Sequence, residues 1–146
     1  MKKIKVKKLN PEDDRPKLPT RGSSKSAGLD LYSIDQFTLR PGVIRMVHTG
    51  VVLEIPSGYE GQVRPRSGLA MKHGITVLNA PGTIDEDYTG EAMVLLVNHS
   101  KTPFLVEEGM RIAQVIISPV AYFEPEWATK VKKTERGSGG FGSTGE

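Results

Sequence analysis

V-I-R-M-V-H-T-G-V-V-L-E-I-P-S-G-Y-E-G-Q-V (43–63) decides the fold class. Val43–Val52 reads as strand, Leu53–Ile55 follows, Pro56–Ser57–Gly58 is a turn, and Tyr59–Val63 begins the next strand. β-branched side chains suit a pleated, half-buried surface, and Pro and Gly supply the backbone angles that turns require. Working outward, Ile75–Leu78, Ala92–Val97, Phe104–Val106 and Ile112–Val120 are further short apolar runs. The 16 glycines and 10 prolines are spread between them as punctuation. Turn signals at intervals of roughly 8–12 residues predict an all-β sandwich or barrel. One helical turn is expected at Ser67–Lys72, with Ser67 as its cap and Gly74 as its stop.

The 146 residues fit one domain able to bury a core without staples. There is no cysteine, so disulfides and thiolate metal sites are excluded; this is compatible with a reducing cytosol without proving one, and the expected location is cytoplasmic. No apolar run approaches the roughly 18 residues of a membrane span. The net charge is +3, but Lys2, Lys3, Lys5, Lys7 and Lys8 account for the excess: without them 15 basic residues face 17 acidic ones. The surplus is a terminal patch on an alternating strand, and no nucleic-acid partner is expected. Asn10–Ser26 reads as an irregular connection. Apolar periodicity is lost from Lys130, which suggests a folded unit over 1–130 and a glycine-rich arm over 131–146.

Several chemistries are absent from the sequence. There is no G-x-x-x-x-G-K-[ST], no G-x-G-x-x-G between strand and helix, and no H-E-x-x-H. His48, His73 and His99 are too far apart to suggest a histidine metal site.

Five islands remain once strands and turns are set aside: S-A-G-L-D-L-Y-S (26–33), R-P-R-S-G-L-A (64–70), L-N-A-P-G-T-I-D-E-D-Y-T-G-E (78–91), G-M-R-I-A-Q (109–114) and R-G-S-G-G-F-G-S-T-G (136–145). Arg64, Arg66, Ser67, Arg111 and Gln114 could form an anion cradle, since guanidinium forks match phosphate oxygens. Separate arginines on strand edges would look the same in sequence. Asp85 and Asp87 would point to one side of an extended chain. Carboxylates there could activate water or act as outer ligands of Mg²⁺, or they could simply cap a solvated hairpin. Asp30, between Leu29 and Leu31, needs a partner.

These islands, in this order and at these separations, resemble the motifs of the trimeric dUTPase family over about Ile4 to Gly145. The resemblance implies a jelly-roll-like β-barrel of short strands with one short helix. It also implies a homotrimer with shared active sites, in which each C-terminal arm is exchanged onto a neighbour. The implied reaction is hydrolysis of dUTP to dUMP and pyrophosphate, assisted by Mg²⁺, with water attacking the α-phosphorus. By position, Asp85 matches the residue that deprotonates this water. Asn79 with Gly82, Thr83 and Ile84 matches the uracil-reading hairpin, and Tyr88 the ring packed on deoxyribose. Arg66, Ser67, Gly68 and Gln114 match phosphate-binding positions. Asp30 matches a carboxylate that supports the metal through water. Arg136 matches the arm residue that reaches the γ-phosphate, and Phe141 the ring stacked on uracil. Arg64 is assigned to structure or interface pairing. Met110 stands where relatives often carry an acid, which leaves Arg111 without an expected charge partner.

Three rivals are weighed beside this reading. A dCTP deaminase shares the fold but needs a catalytic glutamate in a pattern other than T-I-D-E-D-Y (83–88). A non-enzymatic dUTP sensor would not need the hydrolytic groups that this chain retains. A capsid-like jelly roll would leave the clustered Asp, Arg and glycine-rich tail without a purpose.

Overall fold

The computed structural model describes residues 3–140. It contains β1 (Lys5–Lys8), β2 (Leu29–Tyr32), β3 (Phe37–Leu39), β4 (Ile44–Val47), β5 (Val51–Glu54), β6 (Tyr59–Arg64), α1 (Ser67–His73), β7 (Ile75–Val77), β8 (Gly82–Ile84), β9 (Val94–Asn98), β10 (Phe104–Val106) and β11 (Arg111–Pro119). All pairings are antiparallel: β2-β11-β6-β8, β4-β9-β7, β1-β5 and β3-β10. The sheets wrap one apolar core in a jelly-roll-like arrangement, as expected from the sequence. Leu31, Leu39, Leu53, Ile75, Leu96 and Ile112 are fully buried in it. Burying each such side chain stabilises the fold by about 1.5–3 kcal/mol. No helix among the described residues is long and apolar enough to cross a membrane.

Two local expectations are corrected. The run Val43–Val52 is not one strand: it breaks at His48–Gly50 into β4 and β5, which belong to different sheets. Gly50 has φ +67°, and a side chain there would press on Pro16 and Ile34. Only glycine takes that angle without strain, so the chain turns where its hydrophobicity is unbroken. The helix begins at its expected cap, one residue earlier than the sequence suggests. Arg66, in extended backbone, holds the N-cap position without a side-chain bond, and Ser67 is already helical. Gly74 ends α1 in the left-handed conformation (φ 64°), as the sequence indicates.

The long central strand β11 carries one irregularity with consequences for the site. Arg111 is opposite Tyr32 and Ala113 opposite Leu31, so the single residue Ile112 is extra. This is a β-bulge. From there the register runs regularly, with Gln114 between Asp30 on one side and Arg64 on the other.

Beyond β11 the described residues form no further helix or strand, and residues 121–138 are exposed. Phe123 and Trp127 lie open on this segment.

Candidate active site

In a plain strand, residues three apart face opposite sides. Arg111 and Gln114 are three apart, yet they line the same cavity, because the extra Ile112 resets the alternation between them. Asp30, Arg66, Ser67, Gly68, Gly22, Ser26 and Gly28 complete that cavity. At its floor Asp30 is 8% exposed and takes two guanidinium groups at once. Arg66 Nε donates to Oδ1 at 3.0 Å and Arg111 Nη1 donates to Oδ2 at 3.2 Å. Arg111 therefore has a charge partner despite Met110: the carboxylate comes from β2, not from its own motif. Arg66 is also aimed by a bond to the Arg111 carbonyl. One carboxylate against two guanidinium groups leaves net positive charge, which is what an anion cradle requires.

Gln114 is fixed by donating from Nε2 to the Pro65 carbonyl at 3.0 Å. Gly28 permits this: a Cβ there would lie 3.0 Å from Gln114 Cβ and 3.1 Å from its Cδ.

The expected base-reading residues converge in a second cavity. Asn79, Gly82, Thr83, Ile84 and Tyr88 line it with Met46, Glu91 and Met93. The Ala80–Pro81 peptide is cis. Asn79 packs over Gly82, where a Cβ would lie 3.1 Å from the Asn79 amide nitrogen. The two cavities share no lining residue. Their volumes are about 220 and 200 Å³. A pocket that encloses a small ligand spans about 300–1,000 Å³, so neither alone surrounds a nucleoside triphosphate.

Asp85 lies in a third place. The strand ends at Ile84 and the chain turns, with Tyr88 N donating to the Asp85 carbonyl. The expected extended spacing of Asp85 and Asp87 is thus lost to a turn. Asp85, Glu86 and Asp87 border an open cleft with Tyr59, Glu60 and Tyr122. Arg136 bonds within its own arm, donating to the Gly139 carbonyl, so one chain does not bring it to the cradle. Phe141 lies outside the described residues.

Among the described residues no three His, Cys, Asp or Glu side chains gather to hold a metal. Asp30 spends one lone pair of each oxygen on an arginine and keeps others for water. Mg²⁺ retains several waters and commonly sits on substrate phosphates with few protein carboxylates. The residues therefore fit an ion carried by a polyphosphate and touched through water, not a caged one.

Sequence reasoning named most of the cradle but missed Gly28 and Ser26, although both stand in the first island. It gave no role to Glu91, whose signal is only its place at the end of the third island.

The dUTPase family profile matches residues 14–145. The deoxyuridine 5'-triphosphate nucleotidohydrolase of Nautilia profundicola is 51% identical over 144 residues, covering 99% of both chains. That of Clostridioides difficile is 49% identical over 145 residues, again covering 99% of both. Among solved structures, the dUTPase of Staphylococcus bacteriophage 80alpha with dUPNHPP has a TM-score of 0.86 at 27% identity, covering 100% of both chains. With a profile match over nearly all its length and relatives at half identity, the chain belongs to the dUTPase family.

Proposed function

We propose that this dUTPase hydrolyses dUTP to dUMP and pyrophosphate at sites assembled from more than one copy of the chain. The observation that carries the reading is the pair Arg66 and Arg111 fixed on the buried Asp30, beside Ser67, Gly68 and Gln114. The nucleotide analogue held by the phage relative supports the same ligand class here.

The division of labour follows from the two cavities. Arg66, Ser67, Gly68 and Gln114 bind the phosphates. Asn79 and the backbone of Gly82–Ile84 read the uracil edge, and Tyr88 closes the sugar site. Neither cavity encloses a triphosphate alone, which supports a homotrimer whose neighbouring copies each supply one half. The arm, 131–146, brings Arg136 to the γ-phosphate and Phe141 to the base of a neighbour, as a lid over the folded unit 1–130. The exposure of its residues 131–138 in the single chain supports this. Asp85 takes a proton from water, whose oxygen bonds to the α-phosphorus as the bond to the pyrophosphate oxygen breaks. Mg²⁺ on the triphosphate, reached by Asp30 through water, would supply charge neutralisation at the phosphate oxygens.

Pyrophosphate release from dUTP, dCTP, dTTP and UTP, with and without EDTA, tests the reading. Release confined to dUTP and lost on chelation is the expected result. Binding of dUTP without release would overturn it in favour of a sensor.

A further inference from the structure

Glu91 has no role in the reading above, yet it is the most heavily bonded side chain beside the base-and-sugar cavity. It is 9% exposed. Its Oε1 accepts from the backbone N–H of Thr49 at 3.0 Å and of Gly50 at 2.6 Å, and its Oε2 meets His48 Nδ1 at 2.9 Å. The segment it grips is itself anchored. His48 N donates to Asp35 Oδ2, Ile34 N donates to the His48 carbonyl, and Thr49 Oγ1 donates to the Ala92 carbonyl at 2.7 Å. Ala92 N answers with a bond to the Val51 carbonyl. The carboxylate thus buckles the end of the third island onto the break between β4 and β5.

The other end of the same residue holds the sugar-facing ring. Tyr88 Oη donates to the Glu91 carbonyl at 3.0 Å. The ring lies across Gly90, where an added Cβ would come within 2.6 Å of Tyr88 Cζ and 3.0 Å of Cε2. Tyr88 is therefore set by two local facts: a bare glycine beneath the ring and a carbonyl at its tip. That carbonyl also accepts from the Met93 N–H at 3.0 Å, and the Glu91 side chain ties the same residue to the break between β4 and β5.

We infer that Glu91 is a positioning residue for sugar selectivity: its carboxylate, clamped by His48, Thr49 and Gly50, fixes the carbonyl that holds Tyr88 against the 2′ position of the nucleotide. A displaced ring would still offer apolar contact to deoxyribose but would stop excluding a ribose hydroxyl. The inference rests on the assignment of Tyr88 to the sugar, and the experiment separates the two.

The full-length enzyme is assayed for kcat and KM on dUTP and UTP, and the ratio of the two kcat/KM values is read. Glu91→Ala, which releases the clamp, and Gly90→Ala, which lifts the ring directly, should each lower the dUTP preference at least about tenfold, mainly through a gain on UTP. Glu91→Gln keeps an oxygen for Thr49 and Gly50 and should retain most of the preference. Should Glu91→Ala not fold, Glu91→Asp, whose carboxylate is one methylene too short to reach Thr49 and Gly50 as Glu91 does, takes its place in the same comparison and should lower the ratio likewise. A purely structural role would lower the melting temperature and both substrates' rates together, leaving the ratio unchanged, and that result would overturn the inference. Tyr88→Ala is the control. An unchanged ratio in Tyr88→Ala removes the sugar assignment itself. A collapsed ratio there, with wild-type ratios in the Glu91 and Gly90 variants, removes only the role of Glu91.

Discussion

Replacing Asp30 by Asn keeps the shape of the cradle floor and removes its charge. In the native chain the two carboxylate oxygens take Arg66 at 3.0 Å and Arg111 at 3.2 Å. An asparagine can still accept from one guanidinium, now as a neutral group, but presents an N–H₂ to the other. A hydrogen bond to a charged group contributes about 1.5–3 kcal/mol, and a neutral one about 0.5–1.5. Removing one partner of a fully buried ion pair costs about 3–5 kcal/mol, which sets the ceiling. The Arg66 and Arg111 side chains are 26% and 49% exposed, so water recovers part of the loss, more at Arg111. The expected cost is about 2–3 kcal/mol, or a fall in melting temperature of roughly 5–10 °C for a chain of this size. Circular-dichroism melts and urea midpoints of wild type and Asp30→Asn, at equal protein concentration, read it directly. The KM for dUTP should rise about tenfold, because both forks lose their fixed aim. Arg111→Gln should cost less stability than Asp30→Asn, since its side chain is the more exposed. A variant within about 0.5 kcal/mol of wild type and with unchanged KM would refute the claim that Asp30 organises the cradle.

Other positions give sharper or simpler readouts. Asp85→Asn should bind dUTP nearly as wild type in equilibrium titration while turnover falls by about 10²–10⁴-fold; undiminished turnover removes Asp85 as the base. Gly28→Ala should push Gln114 off the Pro65 carbonyl, raising KM several-fold with little change in melting temperature, and an unchanged KM would show that Gln114 does not bind substrate. The hydrogen bond to Glu91 holds the His48 imidazole above its ordinary range, against an opposing effect of burial, with Asp35 adding attraction. That contribution to stability is fully present below the unfolded value near about 6.5 and is lost as pH rises through the raised folded value. Wild type should therefore lead His48→Asn in thermal stability most at low pH, and a lead that grows with pH would contradict the sign. Ending the chain before Arg136 should depress activity strongly while size-exclusion chromatography shows the assembly intact; full activity in the truncated enzyme would dispose of the lid.

Much of this molecule was legible in its residues, and the exceptions share a cause. Gly74 announces a left-handed stop, and the structure supplies one. The apolar runs announce short strands, because burial and β-branching act locally. Val43–Val52 misleads because the break at Gly50 is decided by Pro16, Ile34 and Glu91, which are distant in sequence. Ser67 misleads as a cap because the chain leaves β6 extended through Arg66 and needs Arg66, not Ser67, at the half-turn. The partner of Arg111 was sought nearby, at Met110, but it lies 81 residues away on a paired strand. Cross-strand pairing carries no periodic mark. The residues of the five islands were named one by one, but their sorting into two cavities and a cleft is a property of the folded sheet alone.

The extra residue at Ile112 also sets a limit on tidying this backbone. Deleting one residue at that point would restore an unbroken ladder between β2 and β11, so a scheme that rewards regular hydrogen bonding would favour it. The same deletion would invert the parity of everything before it, turning the Arg111 guanidinium from the cradle toward the opposite side of the sheet. A straighter strand and a working cradle are therefore mutually exclusive here, and single-residue deletions across 111–113 should be tolerated for folding well before they are tolerated for function. The irregularity is a piece of stored positional information, one residue in size, that neither composition nor hydrophobicity encodes.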